Sequence, residues 1–300
     1  MTVTATLQHH RPRTLAEACE LGRELGARAV YLAGGTELVP PANVAGRLPG
    51  EHLISLRELD ALRGVQQEAD GTLRVGAMTT LAELTREPLV AEHCPALAET
   101  ARLMAGEQVR TLATVGGNFC AAVACADLPP VCLALEATLA VQGADGERRL
   151  PVEKFIRGPR RTVLQPGELL TALCIPPQPK GSGTTTQRFS LRRGNALAVA
   201  SVCARLTVEN GQIREARLAL GAVAPVPRLV LAVHELLVGK PADAALFETA
   251  AQAASDAAEP INDVRASAAF RRVLVQRLTR RALEAALQRA STTSTTEGVA

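Results

Sequence analysis

Two short segments hold the residues best suited to chemistry: Ala33-Gly34-Gly35-Thr36-Glu37-Leu38 and Ala113-Thr114-Val115-Gly116-Gly117-Asn118. Each places a double glycine beside hydroxyl or amide side chains. The pyrophosphate of a dinucleotide needs backbone N–H donors converging on a concavity, and glycine supplies both the unusual backbone angles and the close approach. A tight structural turn accounts for one double glycine on its own, whereas two of them, each with polar donors, point to a ligand. The other common cofactor and nucleophile signatures are missing. No Gly-x-Gly-x-x-Gly follows the first strand, and there is no Gly-x-x-x-x-Gly-Lys-Ser/Thr or Gly-x-Ser-x-Gly. None of the five histidines, His9, His10, His52, His93 and His234, neighbours a credible nucleophile.

The surrounding pattern is that of an α/β chain. Thr14 caps a helical period through Leu15, Ala18, Leu21 and Leu25, and Gly26 closes it. Ala29-Val30-Tyr31-Leu32 reads as a buried strand entering the first glycine segment, while Pro40 and Pro41 argue against a regular helix after it. Ile54-Ser55-Leu56 and Leu73 to Gly76 read as strands, and Leu81 to Leu97 and Glu99 to Gln108 as mostly helical. Leu133 to Val141 and Leu169 to Ile175 read as further strands. Pro176 to Gly183 has the composition of a linker. Beyond it, strands at Ala198 to Thr207 and Glu215 to Gly221 flank Asn210-Gly211, a hairpin signal. Helical patterns follow at Arg228 to Val238, Ala245 to Ala257 and Ser267 to Arg289, and the Ser/Thr-rich segment from Ser291 reads as disordered. The last helix is rich in arginine (Arg271, Arg272, Arg277, Arg280, Arg281 and Arg289), with Phe270, Leu274 and Leu278 as the expected core stripe.

Composition narrows the function classes. With 300 residues, 47% of them hydrophobic and 21% charged, the chain is globular rather than fibrous or disordered. A net charge of +3 is too small to imply a nucleic-acid or anionic-membrane partner, and the scarcity of aromatics removes stacking platforms for single strands. No apolar stretch reaches the length of a spanning helix, and Met1 to Arg11 lacks a signal-peptide core, so a soluble cytoplasmic protein is expected. The seven cysteines form no Cys-x-x-Cys pair, which argues against a local zinc or iron–sulfur site and for buried free thiols.

The two glycine segments, about eighty residues apart, resemble the two FAD-binding signatures of the xanthine dehydrogenase and carbon monoxide dehydrogenase flavoprotein family. Leu73 to Thr80, Asp127-Leu128-Pro129-Pro130, Gly167 to Pro176, Leu220 to Pro225 and Ile261 to Ser267 resemble further landmarks of that family, in its order. The resemblance implies an α+β chain: a two-subdomain α/β FAD-binding domain of the PCMH type over residues 1–177, a linker over 178–183, a smaller α+β C-terminal domain with antiparallel sheet and helices over 184–290, and a disordered tail over 291–300. It also implies that Tyr31, Leu32, Ala33, Gly34, Gly35, Thr36, Glu37, Leu38, Thr114, Val115, Gly116, Gly117 and Asn118 cradle FAD, that Asp127 bonds polar groups of the cofactor, and that Leu170 packs on its ring system. Asp127 as a helix N-cap and Leu170 as plain core remain the competing readings of those two residues. No metal ligand and no catalytic residue is expected in this chain. Members of the family often carry a Lys or Tyr near the flavin in the first strand after the linker, where Phe189-Ser190-Leu191 stands here, with Arg192 and Arg193 behind it.

The function implied is an electron-transfer subunit. The expected partners are a small [2Fe–2S] subunit and a large molybdopterin subunit, assembled as a dimer of heterotrimers. Electrons would pass from the iron–sulfur clusters to an external acceptor. The competing readings are a stand-alone flavoenzyme of the vanillyl-alcohol-oxidase type and a non-catalytic α/β scaffold. Against the oxidase stand the lack of a His or Cys placed for covalent flavin attachment and of a large substrate-capping domain.

Overall fold

The computed structural model describes residues 7–295. Three units of sheet and helix follow one another along the chain. The first is a small parallel sheet in which the strand His52–Ser55 lies between Gln8–His10 and Ala29–Leu32. The helix Leu15–Leu25 crosses it, held at its start by the Thr14 hydroxyl, which accepts the Glu17 N–H. The helix Val39–Ala45 corrects the expectation drawn from the two prolines. They occupy its first turn, where a missing N–H costs no intrahelical bond.

The second unit is a five-stranded antiparallel sheet ordered Val65–Gln67, Leu73–Gly76, Leu169–Ile175, Thr138–Gly143, Gly146–Pro151. Every residue of its central strand, Leu169–Ile175, is buried, as a run apolar at all but Thr171 suggests, and the Thr171 hydroxyl donates to the Ala140 carbonyl. Short helices cover one face, with Leu97, Phe119, Leu128 and Val131 in a common core. Two expectations fail here. Leu133 belongs to the helix Leu128–Ala134, and the strand begins only at Thr138. Glu136 turns the chain between them at φ 57°. Likewise Ala105, at φ 46°, breaks the helix expected over Glu99 to Gln108 into Pro95–Leu103 and Glu107–Arg110.

The third unit is an antiparallel sheet of Ser182–Phe189, Ala200–Glu209, Gln212–Gly221 and Arg228–Leu229, covered by the helices Leu231–Leu237, Ala244–Asp256 and Ala268–Thr295. Asn210 (φ 51°) and Gly211 (φ 77°) make the hairpin turn as their types suggest. The strand takes up Ser182 and Gly183 from the expected linker. Gly183 is needed there, because a Cβ would lie 2.1 Å from the Ala286 carbonyl oxygen of the last helix. That helix also runs to Thr295, into the segment read as a disordered tail; residues 296–300 lie outside those described. Its buried stripe includes Leu274, Val275 and Leu278, but Phe270 is 45% exposed, its ring edge-on to that of Phe189.

Ion pairs, one of them through the buried Arg205, join the third unit to the second. Arg205, 1% exposed, reaches Glu136 at 2.6 Å and Glu215 at 2.8 Å. Arg289 reaches Glu99 at 2.9 Å, and the Thr100 hydroxyl donates to that of Thr186 at 2.9 Å. The sheet of the third unit is thereby fixed to the helix Pro95–Leu103 and to the turn at Glu136.

Candidate functional site

A cleft of about 1130 Å³ opens between the first and second units. Both glycine segments lie on its wall and touch each other through backbone. A Cβ on Gly34 would lie 1.8 Å from the Leu112 carbonyl oxygen, so the two segments can abut only with glycine at this position. Gly35, at φ 74°, turns the chain into the helix Val39–Ala45. Gly116 has the same kind of neighbour constraint, since its Cβ would meet the Ala77 Cβ at 2.7 Å.

The donors are distributed differently from the expectation that both segments are open glycine turns. The second is the first turn of a helix, Val115–Cys120, capped by the Thr114 hydroxyl. Its amides are used within the chain: Val115 N–H donates to Thr79 O at 2.9 Å, Gly116 N–H to Ala77 O at 2.8 Å and Gly117 N–H to the Thr114 hydroxyl at 3.0 Å. Neither Gly116 nor Gly117 has a positive φ. In the first segment, by contrast, the N–H groups of Gly34, Gly35, Thr36 and Glu37 donate to no group among the described residues. Four unpaired amides where the chain turns at positive φ, at Gly35, are the donor set that an anion-binding nest uses. The second segment offers a side chain instead. Asn118 Oδ1 is buried and has no partner, a state that costs free energy and that a donor on a bound ligand would relieve.

All the expected binding residues line the cleft except Val115, whose side chain is buried in the core of the second unit. Tyr31 lines the wall, but its hydroxyl donates to the Ala18 carbonyl at 3.0 Å, and burial pushes the phenol above its ordinary range, with Cys19 adding to the effect. Glu37 meets Arg160 at 3.3 Å across the cleft mouth, both half-exposed. Leu170 is both core and cleft wall, being 5% exposed in the central strand. Asp127 precedes the helix Leu128–Ala134 but makes no capping bond. It is 7% exposed and accepts from Arg188 Nε at 3.0 Å. Burial pushes its carboxyl up to about 6, against the pull of that guanidinium. Arg188 also donates to the carbonyls of Leu103, at 3.1 Å, and Ala196.

Sequence reasoning missed several of these groups. Arg188 stands one residue before Phe189-Ser190-Leu191, and a charged residue ending an alternating strand carries no signal of what its head reaches. Asn195, Ala196 and Leu197 come to the wall from the third unit. Cys120 and Cys125 line it as well, whereas Cys19, Cys94, Cys132, Cys174 and Cys203 are the buried thiols expected. Among the described residues no His, Cys, Asp and Glu cluster is placed to hold a metal ion, and no helix is long and apolar enough to cross a membrane.

A cleft of this size, lined by residues with free amides and by apolar side chains such as Leu32, Leu169 and Leu170, has the character of a site for a large anionic cofactor. Residues 5–178 match the family described as the FAD binding domain in molybdopterin dehydrogenase, and residues 186–286 match the CO dehydrogenase flavoprotein C-terminal domain. The carbon monoxide dehydrogenase medium chain of Hydrogenophaga pseudoflava is 32% identical, over 94% of this chain and 97% of that one. The xanthine dehydrogenase FAD-binding subunit of Escherichia coli is 31% identical, over 93% and 95%. A solved carbon monoxide dehydrogenase from Hydrogenophaga pseudoflava, lacking the Mo-pyranopterin moiety of its molybdenum cofactor, superposes with a TM-score of 0.91 over 95% of this chain and 98% of that chain, at 31% identity. Quinoline 2-oxidoreductase from Pseudomonas putida gives 0.89 over the same shares, at 29% identity. The chain belongs to the flavoprotein family of the molybdenum hydroxylases, as the FAD-binding component of an oxidoreductase. The vanillyl-alcohol-oxidase alternative is not favoured, because the third unit, too, matches a carbon monoxide dehydrogenase flavoprotein domain.

Proposed function

We propose that the chain is an electron-transfer subunit, passing electrons from [2Fe–2S] clusters of a small partner subunit to an external acceptor while a large molybdopterin subunit oxidises the substrate. FAD supplies the redox chemistry when bound, and this chain's residues hold and tune it. The free amides of Gly34 to Glu37 would take the pyrophosphate, with the Thr36 hydroxyl as a further donor. Asn118 Oδ1 would accept a hydrogen bond from a hydroxyl or N–H of the cofactor. Asp127 presents its carboxylate to the cleft, oriented by Arg188, and Leu170 gives the ring system an apolar floor. The remaining expected residues shape the wall, while Val115 anchors it from within. On this reading the flavin domain ends near residue 177 and the C-terminal domain starts at the strand Ser182–Phe189.

The reading rests above all on one observation: the residues with four unpaired amides, Gly34 to Glu37, line the same cleft as Asn118, whose buried side-chain oxygen has no partner. Purification of the tagged chain from its native host tests it. The expected product carries one flavin per chain together with iron and molybdenum on accompanying chains. A product without flavin overturns the cofactor assignment, and flavin without iron and molybdenum overturns the multi-subunit role.

A further inference from the structure

No residue between Gly22 and Ile54 is buried, and among the described residues no other stretch runs as far without one. The same stretch supplies much of the cleft lining, through Val30 to Leu38, part of the helix Val39–Ala45, and Arg47 to Pro49. The rest of the lining is anchored differently. Ala77, Leu81 and Leu170 belong to the buried core of the second unit. Part of the cleft lining thus has a core behind it, and part has none.

The elements of this segment hold one another weakly. The strand Ala29–Leu32 is half-exposed at every position, and it pairs with His52–Ser55 in a parallel sheet, a form usually covered on both faces. The helix Val39–Ala45 has seven residues, none of them buried, and no side-chain cap at Leu38. Helices shorter than about twelve residues are marginal without tertiary packing. Among the described residues, three side-chain bonds tie residues 23–53 to the rest of the chain: Tyr31 to the Ala18 carbonyl, His52 to His10, and Glu37 to Arg160. The last spans the cleft mouth.

We infer that residues 29–53 open as one unit, at a small fraction of the cost of unfolding the protein, and that this opening is the gate through which the cofactor enters and leaves. Regions with few buried apolar contacts open first. The apolar groups of this segment, among them Val30, Leu32, Leu38 and Pro41, line the cleft instead of joining a core. A ligand lying in the cleft covers them and makes the contacts that the chain itself does not. Binding and closing of the gate are therefore linked.

The inference rests on the cofactor reading, and the test keeps the two apart. The protein is purified from its native host with whatever chains accompany it, and its flavin is removed by dialysis against concentrated bromide. In the flavin-free protein, hydrogen exchange should run through Ala29–Leu32 and Val39–Ala45 while Leu169–Ile175 is still protected. Added FAD should slow the exchange of the segment by about tenfold or more. Val44 supplies a kinetic test, because it sits in the helix, is almost fully exposed and does not line the cleft. Glycine there favours the open form and alanine opposes it, by about fivefold between the two. Flavin should enter and leave Val44→Gly faster than Val44→Ala by about that factor, with the same dissociation constant in both. Segment exchange no faster than that of Leu169–Ile175, or equal flavin rates in the two variants, overturns the gate and leaves the cofactor assignment standing. A protein that takes up no FAD removes the cofactor reading and the gate with it.

Discussion

Arg188 Nε lies 3.0 Å from Asp127 Oδ1, and the two side chains are only 8% and 9% exposed. The pair joins the third unit to the second at the cleft wall. The same guanidinium takes the Leu103 carbonyl at a helix end and the Ala196 carbonyl of a wall loop. One planar fork of donors thus fixes three pieces of the wall. A buried pair adds little over two apolar groups, but breaking it strands a charge and costs about 3–5 kcal/mol. Arg188→Met should therefore lower the unfolding free energy by about that amount and weaken FAD binding by about tenfold or more. Arg188→Lys, which keeps the charge but not the fork, should fall between. Denaturant midpoints and flavin titrations check both, and full stability of Arg188→Met would show that the pair does not hold the wall.

The carboxyl of Asp127 gives the protein a pH dependence of known sign. Burial pushes its folded value up to about 6, with Arg188 opposing. A group raised on folding adds stability that is complete below its unfolded value, near 4, and is lost as pH rises through about 6. At about 1.4 kcal/mol per pH unit, the wild type should lose roughly 2 kcal/mol relative to Asp127→Asn between pH 4 and pH 7. The constant offset from leaving Arg188 unpaired in the variant cancels in that comparison. Urea unfolding of both proteins across this range is the measurement, and a pH-independent difference would mean that Asp127 titrates at an ordinary value.

Much of this was legible in the sequence because it depends on local types. Strand Leu169–Ile175, hairpin residues Asn210 and Gly211 and the Thr14 cap are set by patterns that reach only a few residues. The positions of the two glycine segments were legible too, through family resemblance. What each glycine does was not. Gly34 answers to Leu112 and Gly116 to Ala77, contacts far along the chain that only tertiary packing creates. Arg188 was overlooked for the same reason. The misread strand at Leu133 shows another limit: a short apolar run fits a buried helix as well as a buried strand, and only Glu136 at positive φ divides the two.

Replacing the glycines should separate packing from ligand contact. Gly34→Ala places a methyl 1.8 Å from a backbone oxygen, and Gly116→Ala places one 2.7 Å from the Ala77 Cβ. Neither neighbour is the movable end of a side chain, so both variants should lose stability by about 1–3 kcal/mol, as overpacking does. Gly35→Ala meets no atom closer than 3.3 Å but must hold φ 74°, costing about 1 kcal/mol. The apoprotein melting temperature ranks the three. Gly116→Ala melting like wild type in the absence of flavin would contradict the close approach to Ala77.

Asn118 gives the sharpest division between stability and binding. Its Oδ1 is buried with no donor opposite it, and the residue lines the cleft together with Gly34 to Glu37. A buried oxygen without a donor costs the chain about 1–3 kcal/mol, which a ligand donor restores. Asn118→Leu keeps the volume and removes that oxygen, so the apoprotein should be as stable as wild type or more so. FAD binding should nonetheless weaken by about 1–2 kcal/mol, roughly five- to thirty-fold in dissociation constant, because the hydrogen bond is gone. Thermal unfolding of apoprotein and a flavin titration, made on the same preparations, read the two effects separately. A variant that binds FAD as tightly as wild type would show that the Asn118 oxygen is not satisfied by the cofactor, and one that unfolds more easily would show that the amide serves the fold.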